Sequence, residues 1–132
     1  MKFSRQSRLL KPAEFTSVFQ QPVRSGDGFF RIMARENGMQ RHRLGMAVSK
    51  KACPKAVGRN RIKRVIRENF RANLVGTEQN GSLDFVVLPN ATAAKQDNKV
   101  LDVSLSAHWQ QLIRKAGLRN TKRRQDQKRT GR

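Results

Sequence analysis

The stretch from Val57 to Val75 constrains this chain more than any other. Wound as a helix turning about 100° per residue, it gathers Ile62, Val65, Ile66, Phe70 and Leu74 on one broad side. Asn60, Arg64, Arg67 and Arg71 run at i, i+4, i+7 and i+11 along the other, with Lys63 at the border. The apolar side needs a sheet or another helix to dock on. The basic side spaces its guanidinium groups about 5–6 Å apart. Planar bidentate donors at that spacing suit successive phosphates. Only Glu68 offers an acidic partner on the same helix, so surface ion pairs do not balance this face. Arg59-Asn60-Arg61 stands near the helix start, where free N–H groups and the positive dipole end favour anions.

The charge of the whole chain follows the same division. The formal net charge is +20, well beyond the roughly 2–8 units that suit a small soluble domain. Residues 41–71 carry eleven basic groups and one acidic, and residues 114–132 carry nine and one. Residues 72–113 carry two basic groups against four acidic. Like charges crowded on one body repel, and a polyanion is the partner that neutralises them. The 132 residues suit one domain, expected over residues 1–117. From 118 to 132 (LRNTKRRQDQKRTGR) Leu118 is the one large apolar residue. That segment reads as a flexible basic tail that adds affinity without specificity.

Other signals place the remaining elements. Lys11-Pro12-Ala13-Glu14 reads as a helix start, and Phe15, Val18 and Phe19 form one stripe before Pro22. Phe29–Arg35 reads as a strand, and Arg43–Ser49 as a second strand antiparallel to it. Leu83–Leu88 is nearly all apolar, so it is expected to be covered on both faces. A last helix is expected from Asn98 to Ala116, with Gly117 as its C′ residue. A strand near Val23–Ser25 reads only faintly. Helix, strands, helix, strand, helix is an α+β order with a small sheet.

Several kinds of chemistry find no footing. Cys53, His42 and His108 are the only cysteine and histidines, which argues against a protein-built zinc site and a disulfide framework. No Gly-rich phosphate loop or hydrolase motif stands out, and the aspartates are scattered. No apolar run approaches the ~20 residues of a membrane span. A cytoplasmic protein with no membrane or protein partner and no cofactor of its own is expected. Aromatic residues bear on nucleic-acid binding, since bases stack on bare rings. Spacing alone fits Phe15 and Phe19 better to a core than to a base platform.

Arg43-Leu44-Gly45-Met46-Ala47-Val48-Ser49-Lys50-Lys51, Ala56-Val57-Gly58-Arg59-Asn60-Arg61-Ile62-Lys63-Arg64 and Arg67-Glu68-Asn69-Phe70-Arg71 together resemble the bacterial ribonuclease P protein subunit family. Ser7-Arg8-Leu9 and Phe15-Thr16-Ser17-Val18-Phe19 match its N-terminal pattern. The resemblance covers residues 5–116. It implies an α-β-β-β-α-β-α sandwich with a small mixed sheet and a left-handed βαβ crossover. It implies two partners, a catalytic RNA subunit and precursor tRNA, with Mg²⁺ required by the RNA-based holoenzyme. Carried over by position, Arg59, Asn60, Arg61, Lys63, Arg64 and Arg67 serve the RNA-facing helix, and Arg71 continues it. Phe15, Phe19 and Lys51, with Met33 and Lys50, lie in or beside a cleft for the single-stranded 5′ leader. The resemblance thus reverses the preference for Phe15 and Phe19 as plain core. From the residues alone, a ribosomal or chaperone-like RNA-binding protein and a basic DNA-binding module remain alternatives.

Overall fold

The computed structural model describes residue 8, residues 11–78 and residues 81–130, with 118–130 described by their backbone alone. Its elements are α1 (Pro12–Val18), β1 (Val23–Gly26), β2 (Phe30–Glu36), β3 (Arg43–Met46), α2 (Ala56–Leu74), β4 (Leu83–Pro89), a 3-10 turn (Ala91–Lys95) and α3 (Asn98–Thr130). The α+β order α-β-β-β-α-β-α is the expected one.

The strands form one sheet in the order β1-β2-β4-β3. β2 pairs antiparallel with β1 and β4. β3 pairs parallel with β4, so β3, α2 and β4 make a βαβ unit. This corrects the expectation that the second strand lies antiparallel against the first. β4 takes the place beside β2 because its side chains are apolar on both faces and gain most from a central position. Phe85 and Val87 enter the main core, and Val86 packs on the opposite face. β3 is left at the edge and ends at Met46, short of the expected Ser49, with Ala47 N–H still donating to the Val87 carbonyl at 3.1 Å.

The main core lies between one sheet face and the two long helices. Phe30, Ile32 and Ala34 from β2 meet Ile62, Ile66 and Phe70 of α2 and Leu101, Leu105, Trp109 and Leu112 of α3. Trp109 packs edge-on against Phe85 (5.3 Å) and Phe70 (5.8 Å), a favoured aromatic geometry. Its indole N–H donates to Asn69 Oδ1 at 2.7 Å. Asn69 Nδ2 in turn reaches the Asp102 carbonyl and Oδ1, both at 3.2 Å, and Ser106 Oγ at 3.3 Å. A polar seam therefore joins α2 to α3 inside an apolar layer. Gly117 lies within α3 rather than behind its end, so it is no C′ residue. α3 runs on to Thr130, past the expected end at Ala116, and the side chains of 118–130 and residues 131–132 lie outside the described residues.

A smaller cluster occupies the other sheet face. Val18, Met33 and Val86 are buried there, with Phe15 and Leu88 packed against them. α1 roofs only part of this face. Glu14 caps α1 by accepting the Lys11 N–H on Oε1 at 2.8 Å, and its Oε2 accepts from Arg43 Nη1.

Two predictions concern this frame. Asn69→Leu strands the indole N–H of Trp109, and an unsatisfied buried donor costs about 1–3 kcal/mol. Urea unfolding followed by Trp109 fluorescence should show that loss. His42 is buried, accepts the Leu83 N–H on Nδ1 at 3.0 Å, and burial lowers its pKa against the opposing pull of Glu78 and backbone bonds. The fold thus favours neutral imidazole. The stability this brings is whole above the ordinary value of 6.5 and is lost as pH falls through the lower folded value. Thermal melts should fall as acid is added below pH 6.5, and His42→Gln should flatten that dependence.

Candidate nucleic-acid interface

The basic side of α2 forms as its apolar pattern requires. Ile62, Val65, Ile66, Phe70 and Leu74 are buried, which turns Asn60, Arg64, Arg67 and Arg71 outward. Asn60 and Arg64 are exposed, while Lys63, Arg67 and Arg71 are half-buried. Long cationic chains lie along the surface with their heads in water. Among the described residues, none of these cations forms an ion pair. α2 begins after Lys55 with no side-chain cap and no acidic residue in its first turn, so no carboxylate of that turn competes for its free N–H groups. Lys50 and Lys51 are exposed in the turn after β3. Ser49 folds that turn back, its carbonyl accepting from Cys53 N–H and its Oγ from Ala52 N–H, both at 3.0 Å.

The two arginines of Arg59-Asn60-Arg61 behave differently from the rest of the row. They sit about 100° either side of Asn60, and each reaches a neighbouring segment. Arg59 Nη1 donates to the carbonyls of Cys53 (2.9 Å) and Pro54 (2.8 Å). Arg61 donates from Nη1 to Asn98 Oδ1 (2.5 Å) and from Nη2 to the carbonyls of Gln96 (2.7 Å) and Ala94 (3.4 Å). They clamp the 50–55 loop and the approach to α3 to the start of α2. Gly58 completes the clamp, because a Cβ there would lie 2.7 Å from Cys53 Sγ. The cation row is thus Lys63, Arg64, Arg67 and Arg71, and the flanking arginines fix what stands beside it.

The second feature is the sheet face under α1. Phe19 is 45% exposed at the end of α1. Arg35 Nη1 holds that end, donating to the carbonyls of Ser17 and Gln20, both at 3.0 Å. Phe15 is half-buried over Val18 and Val86. Met33, expected beside the cleft, is 8% exposed and closed in by that same cluster, so it supports the roof instead of facing solvent. The structure therefore brings Phe15, Phe19 and Met33 together on one face. Lys50 and Lys51 belong to the turn that follows the β3 edge.

Arg43 is one of the eleven basic groups of residues 41–71, and the structure engages it internally. Its Nε and Nη2 form a fork on Asp84 Oδ1 (2.8 Å) and Oδ2 (2.7 Å), and Nη1 donates to Glu14. Hydrogen bonding to Asp84, outweighing burial, raises its pKa further. The signal for this was present: Asp84 is a lone carboxylate in an apolar strand, and buried charge needs a partner.

A cation row without counter-charges on one side of the sheet, and a half-open sheet face bearing an exposed ring on the other, define a basic RNA-binding α+β protein. Comparison with known proteins narrows that class. The family signature described as Ribonuclease P matches residues 3–113. The ribonuclease P protein component of Methylococcus capsulatus is 42% identical over 113 residues, covering 86% of each chain. That of Aliivibrio salmonicida is 42% identical over 112 residues, 85% of this chain and 93% of the relative. The solved ribonuclease P protein of Thermotoga maritima superposes with a TM-score of 0.66 at 32% identity, over 81% of this chain and 96% of that one. The chain belongs to the ribonuclease P protein component family.

The division between row and clamps is testable through salt. Each phosphate left without its cation flattens the dependence of log K on log salt by about 0.7–0.9. Arg64→Ala with Arg67→Ala should lower the slope for the ribonuclease P RNA by about 1.5. Arg59→Met should leave the slope and lower the melting temperature, because it removes the Nη1 donor that the Cys53 and Pro54 carbonyls share.

Proposed function

We propose that this chain is the non-catalytic protein subunit of a ribonuclease P whose RNA subunit cuts the 5′ leader from precursor tRNA. One observation carries the reading. Two unlike surfaces for nucleic acid lie on opposite sides of one sheet: the cation row of α2, and the half-open face with Phe19. The first suits the phosphates of a folded RNA, read by position and shape. The second suits a single strand, whose bare bases stack on exposed rings for about 1–3 kcal/mol each. The row anchors the catalytic RNA, and the face holds the leader.

Mg²⁺ belongs to the RNA in this reading. Glu14 and Asp84 are both paired with Arg43. Among the described residues no group of three or more His, Cys, Asp or Glu side chains gathers. The chain contributes cations that screen phosphate repulsion, which lowers the Mg²⁺ the RNA needs. Among the described residues no helix is long and apolar enough to cross a membrane. The reducing cytoplasm is the compartment that suits a single buried thiol.

Precursor-tRNA cleavage at low Mg²⁺ tests the assignment with RNA alone, protein alone and both together. Strong stimulation by the pair, with no cleavage by protein alone, is expected. Cleavage by the protein alone overturns the role, and absence of stimulation overturns the pairing with RNA. Phe19→Ala should weaken binding of leader-bearing precursor about 5- to 150-fold, the loss of one stack, and leave mature tRNA binding nearly unchanged. Equal loss for both returns Phe19 to a role in the fold.

A further inference from the structure

The free edge of β1 carries cations that neither surface above uses. β1 is paired on one side only. Its register sets Arg24 opposite Met33 and Gly26 opposite Arg31. Alternation along the strands puts Arg24, Arg31 and Met33 on the face that α1 half covers. Glycine stands opposite Arg31 on β1, so the side of Arg31 toward the free edge carries no cross-strand side chain, while Leu88 stands opposite it on β4. Round the edge, α3 adds Gln111 and Lys115, whose Nζ donates to the Arg24 carbonyl. Together they line a groove of about 290 Å³. No carboxylate lines it, and among the described residues Arg24 and Arg31 form no ion pair.

Two placements say what the groove holds. It shares Met33 with the small cluster under α1, so it continues the face that displays Phe19. It also lies at the opposite sheet edge from β3, whose following turn carries Lys50 and Lys51. Three strand spacings of ~4.8 Å separate the edges by about 14 Å. A strand that enters beside Lys50 and Lys51 and crosses the open face leaves over Arg24 and Arg31. A groove that turns round the edge of one β-strand follows a single strand and excludes a stiff duplex.

We propose that this groove is a second phosphate-binding subsite for single-stranded RNA. Given the leader reading above, on which it rests, it takes the leader nucleotides farthest from the cut. Lys115 and Gln111 form its outer wall, and Arg24 and Arg31 grip its phosphates.

The test uses the reconstituted holoenzyme and precursors with leaders of about 4 and about 12 nucleotides, within the ~4–16 that single-strand grooves cover. Wild-type protein should bind the longer leader more tightly and with the steeper salt slope, by about 1.4 for two added phosphates. Arg24→Ala with Arg31→Ala should cut the long-to-short affinity ratio about tenfold and bring the slopes together. Arg24→Lys with Arg31→Lys should keep most of the ratio. Circular dichroism melts confirm that each variant folds. A ratio that survives the double alanine change overturns the subsite, as does equal loss on both leaders. If the subsite alone is wrong, Phe19→Ala still separates precursor from mature tRNA. If the leader reading is wrong, wild-type protein shows no preference for any leader, and both fall.

Discussion

The guanidinium of Arg43 joins three parts of the chain that nothing local brings together. α1 has seven residues, well under the ~12–15 that an isolated helix needs to persist in water. Its place is therefore set by tertiary contacts. Asp84 supplies the necessity: it is 6% exposed in the central strand, and an unpaired charge there would be severely unfavourable. The parallel register sets Arg43 directly opposite it. One fork meets Asp84, and the remaining nitrogen reaches Glu14, whose other oxygen caps α1. The demand of one buried carboxylate thus fixes the roof over Met33 and Val86 and the point where Phe19 emerges. A buried ion pair is weak evidence for net stability, but it sets geometry.

The charge of +20 divides by what each cation reaches. Arg35, Arg43, Arg59 and Arg61 end on carbonyls or side-chain oxygens of the protein itself. Each ties an element that borders the cation row or the face that displays Phe19: the end of α1, the sheet, the 50–55 loop and the start of α3. Arginine suits this work because it carries five N–H donors and no acceptor: Arg43 and Arg61 span their acceptors with several nitrogens of the planar fork, and Arg35 and Arg59 meet two carbonyls each from one Nη1. Among the described residues, Lys63, Arg64, Arg67 and Arg71 meet no carboxylate and keep their charge for solvent or phosphate. Their mutual repulsion opposes folding of the free protein. A bound polyanion removes that repulsion and, by binding only the folded form, adds stability of its own.

The periodic segments were the legible ones. The apolar side of α2 and the two-sided burial of β4 follow from residue spacing, because burial at a fixed period is what the pattern encodes. The position of β3 was not legible. Its residues suit a strand in either direction, and its partner was decided by competition from Leu83–Leu88, farther along the chain. Gly117 misled because glycine favours a C′ position without compelling it. The row Arg64, Arg67, Arg71 could be read from one helix. The clamps of Arg59 and Arg61 could not, since their acceptors lie in loops whose course depends on the whole fold. Phe15 and Phe19 show the same limit: one turn apart, one ring is half-buried and the other exposed, and only the position of α1 over the sheet separates them.

A row of cations selects a folded RNA only if its azimuth is fixed, and apolar packing alone is a poor way to fix it. A helix held by Ile62, Val65, Ile66 and Phe70 can roll slightly while keeping most of its buried area, because dispersion contacts have no preferred direction. Asn69 supplies direction. Its amide must meet Asp102 and Ser106 while its oxygen receives the indole of Trp109, and hydrogen bonds weaken steeply once misaligned. Trp109 is itself fixed between Phe70 and Phe85. Rolling α2 would break several buried bonds together, each costly to leave unmade. Arg64 and Arg67 stand on the same rigid helix within about a turn and a half. The polar seam inside the core therefore sets the angle at which the outer row of cations stands out from the sheet.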